Sequence, residues 1–209
     1  MSKRKYLSGP EVEALLEATR TTRHHERNYC LIYMAYLHGL RASELLSLRM
    51  SDLDLRGGTL NVRRLKNGFS TVHPLLVEEI KVIKKWLSVR RFATGLECDW
   101  LFATQQGRIL SRQQFYNIIS GLGKEAGCSF CPHPHMLRHA CGFALADRGI
   151  DTRLIQDYLG HRNIRHTVRY TASNAARFKG IWSLNKNQNK RHLGPKCQST
   201  GFQDAIFYE

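Results

Sequence analysis

The chain has 209 residues, with 32 Lys and Arg against 17 Asp and Glu and a formal charge of +15. That length suits one well-buried domain, and the cationic excess points to a polyanionic partner, nucleic acid first. No apolar run approaches the ~20 residues of a spanning helix, and the N-terminal Met1-Ser2-Lys3-Arg4-Lys5 has no apolar segment behind it, which sets a membrane partner aside.

Ser8-Gly9-Pro10-Glu11 has the spacing of a capping box with Pro early in the first turn, and Val12, Leu15, Leu16 and Thr19 follow at helical spacing. A second helix is predicted from about Arg27 to His38, with Tyr29, Ile32 and Tyr36 inward and Gly39 placed to end it. A short helix over 42–48 comes next. Arg41 therefore lies beside a helix N-terminus, where unpaired backbone amides also attract anions. The period then changes to two. Leu53-x-Leu55, Leu60-x-Val62 and Phe69-x-Thr71, separated by Gly57-Gly58 and Lys66-Asn67-Gly68, predict strands joined by hairpins, with Lys66 at the lip of the second.

Helical periodicity resumes over 76–90, where Val77, Ile80, Ile83, Trp86 and Leu87 form a stripe that core packing explains. Ser111 is placed to cap a helix carrying Phe115, Ile118, Ile119 and Leu122. Pro134 opens another, closed by Gly149. Asp151 caps a short helix through Tyr158, and a turn at Gly160-His161 leads to a last helical stretch containing Tyr170. The fold class is thus mainly α with a small three-stranded antiparallel sheet. Residues 1–182 are assigned to one domain. Residues 183–209 are read as a basic, loosely ordered tail ending in Ala205-Ile206-Phe207-Tyr208.

Several side chains suit attack on a phosphodiester. His135 and Arg138, three residues apart on a helix, leave one face. Arginine grips two phosphate oxygens at once, and histidine switches protonation near neutrality. Tyr170 supplies a hydroxyl that becomes a covalent nucleophile where a positive, water-poor site stabilises its phenolate. Arg41 and Arg138 would stabilise charge gained by the non-bridging oxygens, with His161 as a further donor. Lys66 could protonate the departing sugar oxygen. A phosphotyrosine link conserves the ester energy, so no ATP is required, and the chain has neither a phosphate-cradling Gly-rich loop nor an acidic cluster for two metals. No cofactor is expected.

Other groups receive blander readings. The six cysteines are scattered, as in a reducing compartment, and the protein is expected in the cytosol. Cys128-x-x-Cys131-x-His133-x-His135 offers four zinc-ligand types, but at spacings tighter than structural zinc sites use, so no metal is assigned. Tyr158 is a nucleophile by chemistry, yet Ile155 and Leu159 beside it indicate core. His133, His139 and His166 are taken as packing or surface histidines. Arg162, Arg165 and Arg169 form either a solvated face or phosphate contacts, and with Arg64 and Arg112 they are the candidate DNA-binding residues. If six to ten phosphates are contacted, affinity should fall by roughly three to five decades between low and moderate salt.

In chain order, Arg41-Ala42-Ser43-Glu44, Lys66, His135-x-x-Arg138, Leu159-Gly160-His161 and Tyr170 resemble the motif set of the tyrosine recombinases, the phage integrase family. The stretches Arg64–Thr71 and Asp151–Asn163 are similar in particular to short bacterial fimbrial phase-switch recombinases. The likeness runs from residue 5 to about 182, which it marks as a catalytic domain. It implies inversion of a DNA segment between short inverted repeats by a homotetramer on two paired sites, through a Holliday junction. It also implies roles: Arg41 and Arg138 clamp the phosphate, Lys66 is general acid, His135 general base, His161 a transition-state donor, and Tyr170 forms a 3′-phosphotyrosyl intermediate. In relatives of this kind a C-terminal segment often docks on the neighbouring subunit, a use open to the tail here. Most relatives carry a separate helical domain ahead of this one, whereas here only a few residues precede the first helix. Weak DNA binding alone, assisted by accessory DNA-bending proteins, is therefore expected. Two alternatives remain: a non-catalytic DNA-binding regulator of the same fold, and strand relaxation of the type IB topoisomerase kind.

Overall fold

The computed structural model describes residues 5–64, 70–94 and 98–172. Local capping signals fix the helix starts. Ser8 opens α1 (Gly9–Ala18), its N–H donating to Glu11 Oε2 at 2.8 Å. Ser111 opens α5 (Arg112–Glu125), its Oγ accepting from Gln114 N at 3.1 Å while its own N–H reaches Gln114 Oε1 at 2.8 Å. Asp151 opens α7 (Thr152–Leu159), accepting from the amides of Arg153 and Leu154. Ser111 and Asp151 satisfy amides that the first helical turn leaves unpaired, and at Ser8 the Glu11 carboxylate accepts from the cap's own amide. The remaining helices are α2 (His25–Leu37), α3 (Ala42–Leu46), α4 (Val77–Thr94), α6 (Pro134–Asp147) and α8 (Arg165–Ala172).

The sheet is antiparallel in the order β1 (Leu53–Asp54), β2 (Thr59–Val62), β3 (Thr71–Pro74), with Leu60 opposite both Leu53 and His73. The third strand begins where Phe69-x-Thr71 was predicted to end, and Phe69 lies outside the described residues. On β3, His73 takes the inward position, 1% exposed, while Val72 faces out at 63%. Val77 departs from its predicted stripe. As the first residue of α4 it is exposed, and the buried apolar positions of that helix are Ile83 and Trp86.

Helix α2 packs against α4 and α6, and Leu31, Ile32, Leu45, Leu60, Ile83, Phe102, Phe115 and Leu137 interleave in the main core. A smaller apolar cluster joins Cys141, Ala146, Ile155, Leu159 and Tyr170, so α6, α7 and α8 close around the tyrosine. The chain divides into a unit of Met1–Arg177 and a unit of Phe178–Glu209, and every element named above belongs to the first. The predicted tail lies outside the described residues. No described helix is long and apolar enough to cross a membrane.

Candidate active site

Helix α2 ends on Gly39, whose φ of 56° turns the chain sharply into α3. Only glycine fits there, since a Cβ would collide with the Leu159 side chain. Arg41 then becomes the N-cap of α3. Its N–H donates to Glu44 Oε2 at 2.9 Å and its Nη1 to Glu44 Oε1 at 2.6 Å. Arg138, on α6, donates Nη1 to the Gly39 carbonyl at 2.5 Å and Nη2 to the Leu159 carbonyl at 2.6 Å, and it lies 3.9 Å from Glu44 Oε2.

Glu44 thus organises three guanidinium groups, because Arg64 Nη1 also donates to its Oε2 at 2.9 Å. Burial alone would raise this carboxyl's pKa, but the Arg41 N–H and the charges of Arg64 and Arg41 outweigh it and hold the group below its ordinary value. Burial, then the charge of Arg41, brings Arg138 down to about 10, which still leaves it cationic at neutral pH. Arg64 requires a correction. Expected at the DNA surface, its side chain is 0% exposed and committed to Glu44 and the Tyr158 carbonyl, so it is an internal counter-charge. A buried guanidinium needs an anion beside it.

Tyr170 is 1% exposed. Its ring meets Phe143 edge-on at 5.1 Å and lies nearly parallel to His161 at 6.2 Å, while a Cβ at position 142 would come within 2.6 Å of it. Its hydroxyl is 2.9 Å from His139 Nδ1. Arg169 Nη1, which can only donate, approaches His139 Nε2 at 3.4 Å. That makes Nε2 the acceptor and leaves Nδ1–H to donate to the phenolic oxygen, the form of hydrogen bond that favours a phenolate. In the DNA-free chain burial still prevails: it raises the Tyr170 pKa despite the opposing charges of Arg138 and Arg169.

The imidazoles are pushed toward neutrality. Burial, then Arg138 and Arg41, lowers His161 to about 3. Burial, then His135, lowers His139 to about 3. Burial, then Arg138, also lowers His135. His161 Nδ1 is 2.9 Å from Thr167 Oγ1; with that hydroxyl donating, Nε2–H is free to donate to a ligand. Neutral donors under a net positive field form a site whose missing counter-charge is an anion.

The predicted residues therefore fall into four groups, buried Arg64 being one. Arg41, His135, Arg138, His161 and Tyr170 lie together: Arg41 and Arg138 share Glu44, Arg138 holds the Leu159 carbonyl two residues before His161, His161 and His139 flank the Tyr170 ring, and His135 packs on His139. Lys66 lies outside the described residues. Arg112, Arg162, Arg165 and Arg169 are exposed. His139, set aside in the sequence, is the imidazole that touches Tyr170. His135 leans edge-on against it at 4.6 Å. The four-residue spacing of these two histidines on one helix was the available signal. Of the cysteine–histidine cluster, Cys131 Sγ lies 3.1 Å from Ser120 Oγ, and among the described residues no three potential ligands gather for a metal.

These neutral histidines make folding sensitive to acid. His73, His139 and His161 are each lowered to about 3, His73 by burial and then by His38. An unfolded chain protonates histidine near 6.5, so below that pH the unfolded state binds more protons and stability falls, continuing toward pH 3. Above about 6.5 the contribution is complete. Each buried histidine loses at most about 1.4 kcal/mol per pH unit, so Tm should fall by roughly 5–10 °C between pH 7 and pH 5.5. Calorimetry across that range checks it, and a flat Tm contradicts neutral burial.

The model of the phage integrase family matches residues 5–177. The type 1 fimbriae regulatory protein FimB of Escherichia coli K12 is 56% identical over 188 residues, covering 90% of this chain and 94% of that protein. FimE of the same strain is 57% identical over 192 residues, covering 91% and 97%. A crystal structure of the XerH site-specific recombinase bound to a palindromic difH substrate, a post-cleavage complex, superposes with a TM-score of 0.72 at 26% identity. The match covers 85% of this chain and 53% of XerH. A family match over this span, on a fold that gathers two arginines, a histidine cluster and a tyrosine into one cationic cluster, shows that the chain belongs to the phage integrase family of tyrosine recombinases.

Proposed function

We propose that this recombinase inverts a DNA segment flanked by short inverted repeats, as in fimbrial or other surface-structure phase variation, through 3′-phosphotyrosyl intermediates. The observation that carries the mechanism is the Tyr170 hydroxyl resting on His139 within the fields of Arg138 and Arg169. The identity to FimB and FimE along nearly their whole length supports the fimbrial setting.

In this reading Arg41 and Arg138 hold the non-bridging oxygens and His161 donates to the same phosphate. His135 accepts the phenolic proton, while His139 Nδ1–H donates to the phenolic oxygen as it gains charge. The Tyr170 oxygen forms the bond to phosphorus as the bond to the 5′-oxygen breaks, and Lys66 gives that oxygen its proton. The partner strand's 5′-hydroxyl reverses the step, so no ATP, metal or cofactor enters. Arg112, Arg162, Arg165 and Arg169 contact the backbone of double-stranded DNA. A homotetramer on two paired sites, accessory DNA-bending proteins and a cytoplasmic, nucleoid-associated setting complete the proposal. Residues 183–209 are assigned to subunit docking.

A plasmid carrying candidate inverted repeats drawn from the DNA around the gene tests it. Recombinase activity should interconvert two orientations and trap an adduct on nicked half-sites. Relaxation of supercoils with the orientation unchanged would favour a topoisomerase, and occupancy with no adduct a regulator.

A further inference from the structure

The connection between α2 and α3, residues 37–41, carries both catalytic arginine anchors, and nearly every residue in it is pinned from outside. Leu37 O accepts from Tyr158 Oη at 3.0 Å and faces Cys141 Sγ at 3.4 Å. His38, 1% exposed, places Nε2 2.6 Å from Glu79 Oε1 and Nδ1 3.1 Å from His73 Nδ1. Gly39 O accepts from Arg138, and Arg41 is tied to Glu44.

The polar groups form one continuous chain: His38 Nε2 bonds Glu79 Oε1, His38 Nδ1 bonds His73 Nδ1, and His73 Nε2 lies 3.0 Å from Thr71 Oγ1. Burial, then His38, lowers His73 to about 3. Glu79, 0% exposed, also receives the Leu76 N–H at 3.3 Å at the start of α4. The Tyr158 ring packs on His73 at 4.2 Å, and its carbonyl accepts from Arg64. The relay therefore joins α4, β3 and α7 to the backbone that aims Arg138 and Arg41. None of its four members belongs to the reacting cluster, and the cost of burying such groups is recovered only while every bond is made.

We propose that Tyr158, His38, Glu79 and His73 are positioning residues that set Arg138 and Arg41 against the scissile phosphate. The proposal rests on the reading of those arginines as the phosphate clamp.

Two changes test it in the full chain. Tyr158→Phe removes one oxygen and keeps the ring. The pair His38→Phe with Glu79→Gln removes the imidazole without stranding a buried carboxylate. Both are assayed for half-site binding, for cleavage of a nicked half-site, and for cleavage of the same site with a methylphosphonate at the scissile position, whose neutral phosphorus needs less from the arginines. Binding should stay at the parent value, while cleavage of the ordinary diester falls by between about tenfold and a hundredfold, the range that ångström-scale misplacement produces. On the methylphosphonate the deficit should shrink to less than about threefold, as for misaligned rather than collapsed groups.

An ordinary cleavage rate in both variants, an equal deficit on both substrates, or loss of binding would each overturn the relay. Arg138→Ala serves as the separate control. If the methylphosphonate does not relieve that variant either, the clamp reading fails first and the relay falls with it; relief there without relief in the relay variants rejects the relay alone.

Discussion

Tyr170→Phe is expected to abolish the covalent protein–DNA adduct on a nicked half-site while half-site binding persists. The phenolic oxygen is the only part of the side chain removed, and Phe143, Gly142 and His161 still enclose the ring. Loss of that oxygen leaves His139 Nδ1–H without its acceptor in a buried position, which should cost about 1–3 kcal/mol and lower the urea midpoint accordingly. Denaturing gels read the adduct, and urea titration separates the chemical loss from the structural one. An adduct that survives assigns the attack elsewhere. Tyr158 is the sequence's other candidate, but its hydroxyl is engaged with Leu37 O, and burial, reinforced by Cys141 and Glu79, pushes its pKa up with only Arg64 opposing. Tyr170 instead lies in the fields of both Arg138 and Arg169. At 1% exposure it must leave its packed position to reach phosphorus, so a wild-type adduct should be accompanied by increased solvent access to α8.

Glu44→Leu should be the most destabilising single change in the catalytic region. It strands Arg64, whose side chain is 0% exposed, beside Arg138 and Arg41 with no anion among them. Removing one partner of such a buried pair costs about 3–5 kcal/mol, a large share of the roughly 5–15 kcal/mol that holds a domain of this kind together. The double change Glu44→Leu with Arg64→Met removes the Glu44–Arg64 pair but leaves buried Arg138 without its anion, so it should recover part of that loss in urea unfolding. Cleavage by the double variant should nonetheless stay low, since Arg41 loses both contacts that orient it. A Glu44→Leu protein as stable as the parent would show that the carboxylate is not the counter-charge described here.

Ser8, Ser111 and Asp151 announce their helices because a cap acts on amides two or three positions away, so the whole interaction is written in adjacent letters. The motifs holding Arg41, His135, Arg138, His161 and Tyr170 were legible in the same way, as residue types at family spacings. Arg64 and His139 were not. Nothing near Arg64 in the chain distinguishes a surface cation from one that faces inward, and His139 becomes Tyr170's neighbour only once α8 lies across α6. At β3 the inward place goes to His73 and not to Val72, because His38, itself paired with Glu79, supplies a polar partner there that no local pattern announces.

From sequence alone came the family, the helical class with its small sheet, the helix starts and the candidate reacting side chains. The tertiary structure decided which charges are internal, which histidine touches Tyr170 and what holds the backbone around Arg41 in place. Those decisions rest on contacts between residues far apart in the chain: Arg64 to Tyr158 across 94 positions, Tyr158 to Leu37 across 121, His139 to Tyr170 across 31. Local propensity does not encode such pairings, because burial of a polar group becomes tolerable only when packing delivers its partner.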